Sequence, residues 1–267
     1  MIKIIPLMKL TNFFVQPLYI ILILQAFSCE KIIESLPEKP EDCRIKSIHF
    51  FDGDSDYFGN FFYNNWGDPD SVIFGFVMTG FPNLHFKYNN ERQLTQAKFV
   101  YSNGEYETWH KFGYTNGRIT TDTVFVWGSD EEPEPEFYYS KNINHYEYDT
   151  VGRITKLILD QVSPDYPPTE LSYAYDANGN LITGGETPYD NYVNIHVLHP
   201  IWQFFAKDYS INNPIAAKAY NSFRLPSEFD NSSPGWEFPT HNFFGRSLNR
   251  SVIEYDCQKI QLVTKSE

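Results

Sequence analysis

One short pattern recurs along this chain and restricts what it can fold into. It reads aromatic, any residue, Tyr, Asn or Asp, two residues, Gly or a substitute, then Arg or Asn and an aliphatic. Copies centre on Tyr63 with Gly67, Tyr88 with Arg92, Tyr114 with Gly117, Tyr148-Asp149 with Gly152-Arg153, and Tyr175-Asp176 with Gly179. A degenerate copy stands at Tyr220 and a truncated one at Tyr255-Asp256-Cys257. The tyrosines are spaced by 25, 26, 34, 27, 45 and 35 residues, the mark of one supersecondary unit used repeatedly. Aromatics two apart share one face of a strand, and Asn/Asp followed by Gly supplies the positive φ of a tight reversal. Each copy therefore predicts a β-hairpin, and the whole predicts an all-β fold, an antiparallel meander of repeated hairpins. The pattern also accounts for an aromatic content of 18%. Helix is scarce; one short helix is expected around Pro200 to Lys207, with Pro in its first turn.

Tyr148 to Thr155 resembles the YD repeat of RHS-type proteins, and residues 43–260 as a whole resemble Bacteroidota lipoproteins built from degenerate YD-like hairpins. The shared features are Cys43 opening the first strand, Asn212-Asn213-Pro214 ahead of the Tyr220 copy, and Tyr255-Asp256-Cys257. The resemblance implies a curved antiparallel sheet or a partly closed barrel, and no known chemistry. Six or seven copies are too few for the cargo-enclosing shell that long RHS spirals form.

Residues 1–28 carry Lys3 and Lys9, no acid, and the interrupted apolar run from Phe13 to Phe27. That is a secretory leader, too broken to span a bilayer comfortably. Ala26-Phe27-Ser28-Cys29 resembles a lipobox, which implies lipidation at Cys29 and an outer-membrane lipoprotein of the cell envelope. Residues 29–42, with Pro37 and Pro40, read as a tether, and residues 43–267 as the folded domain. The formal charge of −13 becomes −15 once the leader is removed. Such acidity argues against a nucleic-acid partner, which needs clustered Lys/Arg, and leaves the lipid anchor to provide membrane attachment. Cys43 and Cys257 fit a disulfide in an oxidising compartment and equally fit two buried thiols.

Asp52, Asp54 and Asp56 alternate like the start of a calcium loop. Tyr57 and Tyr63 stand where the motif needs Gly and Glu, so a hairpin turn is the better reading and no metal is expected. The acidic run 130–136 reads as a solvated loop between the third and fourth copies. His196 and His199 are the one close histidine pair, without a carboxylate at ligand spacing. G-x-S-x-G, P-loop and H-E-x-x-H motifs are all missing from the sequence, and no cofactor is indicated. The expected role is a binding or structural β-module facing a glycan or an envelope protein. The alternative is a glycan-active hydrolase with a carboxylate pair in the sheet's concavity. Trp66, Trp109, Trp127, Trp202 and Trp236 could stack on sugars, but core filling is the simpler expectation.

Overall fold

The computed structural model describes residues 43–52, 55–129, 135–182, 189–230 and 242–257. The leader, Cys29, the tether and Trp236 lie outside them. Ten strands meander through the first part of the domain: β1 (Cys43–Asp52), β2 (Ser55–Tyr63), β3 (Pro69–Phe74), β4 (Asn83–Tyr88), β5 (Leu94–Val100), β6 (Glu105–Thr115), β7 (Arg118–Ser129), β8 (Tyr138–Tyr148), β9 (Ile154–Ser163) and β10 (Thr169–Ser172). The chain then forms a 3₁₀ turn (Ile195–Leu198) and the helix α1 (Pro200–Ala206). It ends through β11 (Ala219–Tyr220), β12 (Pro226–Asp230), the small hairpin β13 (Asn242–Phe243) and β14 (Arg246–Ser247), and β15 (Arg250–Cys257).

Thirteen of these strands make one antiparallel sheet in the order β10 to β1, then β15, β12 and β11. It stays open, with β10 and β11 as its edges among the described residues. The last long strand thus returns to pair with the first. Cys43 stands opposite Cys257 in that register, and the two are joined by a disulfide.

The repeat accounts for the turns at one end of the sheet. In five of them the Asx Oδ1 accepts from the amides two and four residues on, at Asn64, Asn89, Asp149, Asp176 and Asn221. The fourth loop position is then left-handed, with Gly152 at φ 97°. Arg92 and Arg224 take the same conformation at φ 62°, so these are the substitutes for Gly. The β6–β7 reversal is shorter: Asn116 and Gly117 are both at positive φ, as a two-residue type I′ turn requires. The truncated copy makes no turn, because Tyr255, Asp256 and Cys257 are all inside β15. The turn at 101–105 between β5 and β6 lies outside the repeat, although Asn103-Gly104 is a turn dipeptide.

One face of the sheet wraps α1. Phe61 on β2 and Phe86 on β4 meet the Trp202 ring at 5.7 and 6.0 Å; Phe112 on β6 and Tyr146 on β8 meet Phe204 at 5.6 and 5.0 Å. Laid flat, β2 to β8 would extend over about 29 Å at about 4.8 Å per strand, whereas a seven-residue helix is about 10 Å long. Only a strongly curved sheet lets both ends reach one short helix. Trp202 and Trp109 are buried, while Trp66 and Trp127 are exposed. Trp109 faces away from α1 and is covered by the ammonium groups of Lys98 at 3.7 Å and Lys111 at 4.5 Å.

Candidate functional site: a groove along the row of turns

The tyrosine of each copy has a role that reaches into the neighbouring hairpin. Its hydroxyl donates to a backbone carbonyl at the start of the adjacent strand: Tyr63 to Ile45 (2.8 Å), Tyr88 to Pro69 (2.5 Å), Tyr114 to Leu94 (3.1 Å), Tyr148 to Ile119 (2.6 Å) and Tyr175 to Ile154 (3.1 Å). Tyr255, which makes no turn, still donates to Pro226 at 2.6 Å. The clamp gives each of these carbonyls a donor and ties one turn to the next.

Arginines continue the stapling. Arg92 grips Asp68 of the preceding turn with Nε at 3.0 Å and a terminal nitrogen at 2.8 Å, and donates to the Trp66 carbonyl. Arg153 bonds Asp149 at 2.8 Å and lies 4.1 Å from the Tyr175 ring centre in the following turn. Burial works to raise the Asp149 carboxyl, but the Arg153 amide and guanidinium hold it below the usual range. Arg118 is different. It donates only to the Asp149 carbonyl, at 3.3 Å, and has no carboxylate within ion-pair distance among the described residues.

Between this row and α1 runs an open groove of about 780 Å³, within the size range of ligand clefts. Its sheet side carries Arg92, Arg118, Arg153, Tyr114 and Tyr148; its helix side carries His199 and Gln203. His199 is held there, accepting from the Ile201 amide at the start of α1 and meeting Asp68 at 3.4 Å. In a chain of net charge −13, three of seven arginines collect in one groove.

Most of these residues belong to the repeat, and the structure brings Tyr88, Arg92, Tyr114, Gly117, Tyr148, Gly152, Arg153 and Gly179 together around the groove. Tyr63 and Gly67 lie towards the other end of the row. Asp176 shapes the fifth turn through its own backbone bonds. Asp52 and Asp56 sit on paired strands, Asp56 facing His49 at 3.6 Å, and Asp54 lies outside the described residues. His196 is buried against Asp208 at 3.1 Å and so is separated in role from His199.

Burial pushes the Tyr114 and Tyr148 hydroxyls up to about 12. A phenol ionising near 10 in the unfolded chain and near 12 in the folded one stabilises the fold fully below about pH 10. That contribution is lost as the pH rises through the folded value. Stability at about pH 11.5 is expected to be lower than at about pH 9 by roughly 1–3 kcal/mol, discounted for partial exposure. Urea midpoints at the two pH values measure it, and Tyr148→Phe should narrow the difference.

No family model matches the chain, and no curated protein matches it. Among solved structures, the TcdB2-TccC3-Cdc42 complex is similar over 52% of this chain, with 13% identity and a TM-score of 0.21. This chain spans 8% of the length of the chain it matches there.

Proposed function

We propose that the protein is a cell-envelope lipoprotein, acylated at Cys29, whose curved sheet is a binding module for an acidic glycan. The leader pattern with its lipobox-like Ala26-Phe27-Ser28-Cys29 supports the anchor, and the Cys43–Cys257 disulfide suits an oxidising compartment. The observation that carries the ligand reading is Arg118: an exposed guanidinium, without a carboxylate partner among the described residues, set among tyrosine faces in a long groove. A guanidinium offers paired donors to a carboxylate, and neighbouring rings offer stacking faces to sugars. The sheet supplies these groups on fixed turns, so little ordering accompanies binding.

A glycan array tests this reading. Uronate-containing oligosaccharides should be retained above neutral ones of the same length, with no product released over hours. Retention of neutral glycans alone would contradict it, and release of shortened products would favour the hydrolase reading.

A further inference from the structure

A second cavity lies on the other side of α1 from the turn row. It measures about 360 Å³ and is bounded by β6 to β9, by Phe205 and Lys207 at the end of α1, and by the β13–β14 hairpin. Two cations line it. Arg246 is 7% exposed, lies over the Phe74 ring at 4.0 Å from its centre, and donates to the Gly80 and Phe244 carbonyls. Lys207 donates to the Phe204 carbonyl at 2.6 Å and lies over that residue's ring. Neither cation has a carboxylate within ion-pair distance among the described residues.

Both carboxylates that line the cavity are occupied elsewhere. Asp122 meets His110 Nδ1 at 3.0 Å and accepts from the Tyr146 hydroxyl at 3.3 Å. Glu107 accepts from the Tyr101 hydroxyl at 2.5 Å and the Gly80 amide at 2.7 Å. Three buried polar atoms on cavity-lining residues have no hydrogen-bond partner among the described residues: Arg246 Nε, Thr108 Oγ1 and Asn144 Oδ1. They offer a cationic donor, a hydroxyl and an acceptor. Asp122 and Glu107 attract Lys207 and Arg246 only from beyond ion-pair distance, and buried polar atoms are rarely left without partners. Their convergence on one cavity with apolar walls is the composition of a small-ligand site.

We propose that this cavity binds a small hydroxylated carboxylic acid, about the size of one uronic acid. Its carboxylate meets Arg246 and Lys207, and its hydroxyls meet Thr108 and Asn144. The phenyl rings of Phe205 and Phe244 form the apolar wall against which a sugar ring lies. Burial, which lowers the Arg246 and Lys207 pKa values to about 10 and about 8, is the same desolvation an anion would offset. The inference is independent of the groove, which lies across α1 and uses different arginines.

Calorimetric titration of the full chain with D-galacturonate tests it, with D-galactose and acetate as probes lacking the carboxylate or the ring. Galacturonate is expected to bind at least tenfold more tightly than either. Arg246→Gln should weaken it at least tenfold and Thr108→Val several-fold. Thr108→Val removes only a hydroxyl at constant volume, so it carries the test if Arg246→Gln does not fold. Absence of galacturonate binding at millimolar concentration overturns the assignment. So does affinity that survives Thr108→Val and every folded Arg246 variant.

Discussion

Reducing the Cys43–Cys257 disulfide is expected to lower the stability of the domain by about 5 kcal/mol, the chain-entropy value for so long a loop. The two cysteines are 214 residues apart, so the cross-link removes more freedom from the unfolded chain than any local contact can. The exposed side chains along this seam compensate little. The β1–β15 pairing also carries Arg44–Asp256 and Lys46–Glu254, but both ion pairs are largely exposed and exposed pairs contribute less than about 1 kcal/mol each. Small domains are stable by about 5–15 kcal/mol, so the reduced protein falls near the edge of folding. In urea, at a slope of about 2 kcal/mol per molar, the midpoint should fall by about 2.5 M, both on reduction and in the Cys43→Ser, Cys257→Ser double variant. A midpoint that ignores reductant would show that the ladder alone closes the sheet.

The second large effect is expected at Trp202. Its ring is 1% exposed and is bounded by Phe61, Phe86, Phe243 and Phe244, each at 5.3–6.0 Å between ring centres. These neighbours come from β2, β4 and the β13–β14 hairpin, whose backbones are fixed by their own ladders and cannot collapse into the space left by truncation. Trp202→Ala should therefore cost about 3–5 kcal/mol, and Trp202→Phe distinctly less. Urea unfolding followed by far-ultraviolet circular dichroism measures both. Loss of the helix plug should also expose apolar sheet surface, detectable as dye binding by the alanine variant before unfolding.

The parts of the fold that could be read from the sequence are the local ones. An Asx side chain that bonds amides two and four residues ahead depends only on its own loop, so turns such as Asn89 and Asp149 are visible in the pattern. Pro200 with Ile201, Phe204 and Phe205 marks the helix for the same reason. The tyrosine clamp is not local: Tyr148 reaches Ile119, 29 residues back, and nothing in the repeat indicates where its hydroxyl goes. The groove is harder still to read, because it comes from successive turns stacking in space. The second cavity joins Thr108, Asn144, Lys207 and Arg246 from four distant segments, and none of them belongs to the repeat. Asp122, buried on an alternating strand that reads as Thr-rich and ordinary, gives no sign of its His110 partner until β6 and β7 are paired.

These relations divide the repeat residues into two roles. Tyrosine hydroxyls hold neighbouring turns in place, whereas Arg118 faces the groove with its charge uncommitted. The most direct test is a calorimetric titration of an oligogalacturonate into the wild type, Arg118→Gln and Tyr148→Phe, with melting temperatures recorded for each. The account predicts that Arg118→Gln weakens binding at least tenfold with its melting temperature unchanged, and that Tyr148→Phe lowers the melting temperature by several degrees. Wild-type protein that takes up no oligogalacturonate, or Arg118→Gln that binds it as tightly as wild type, would contradict the account.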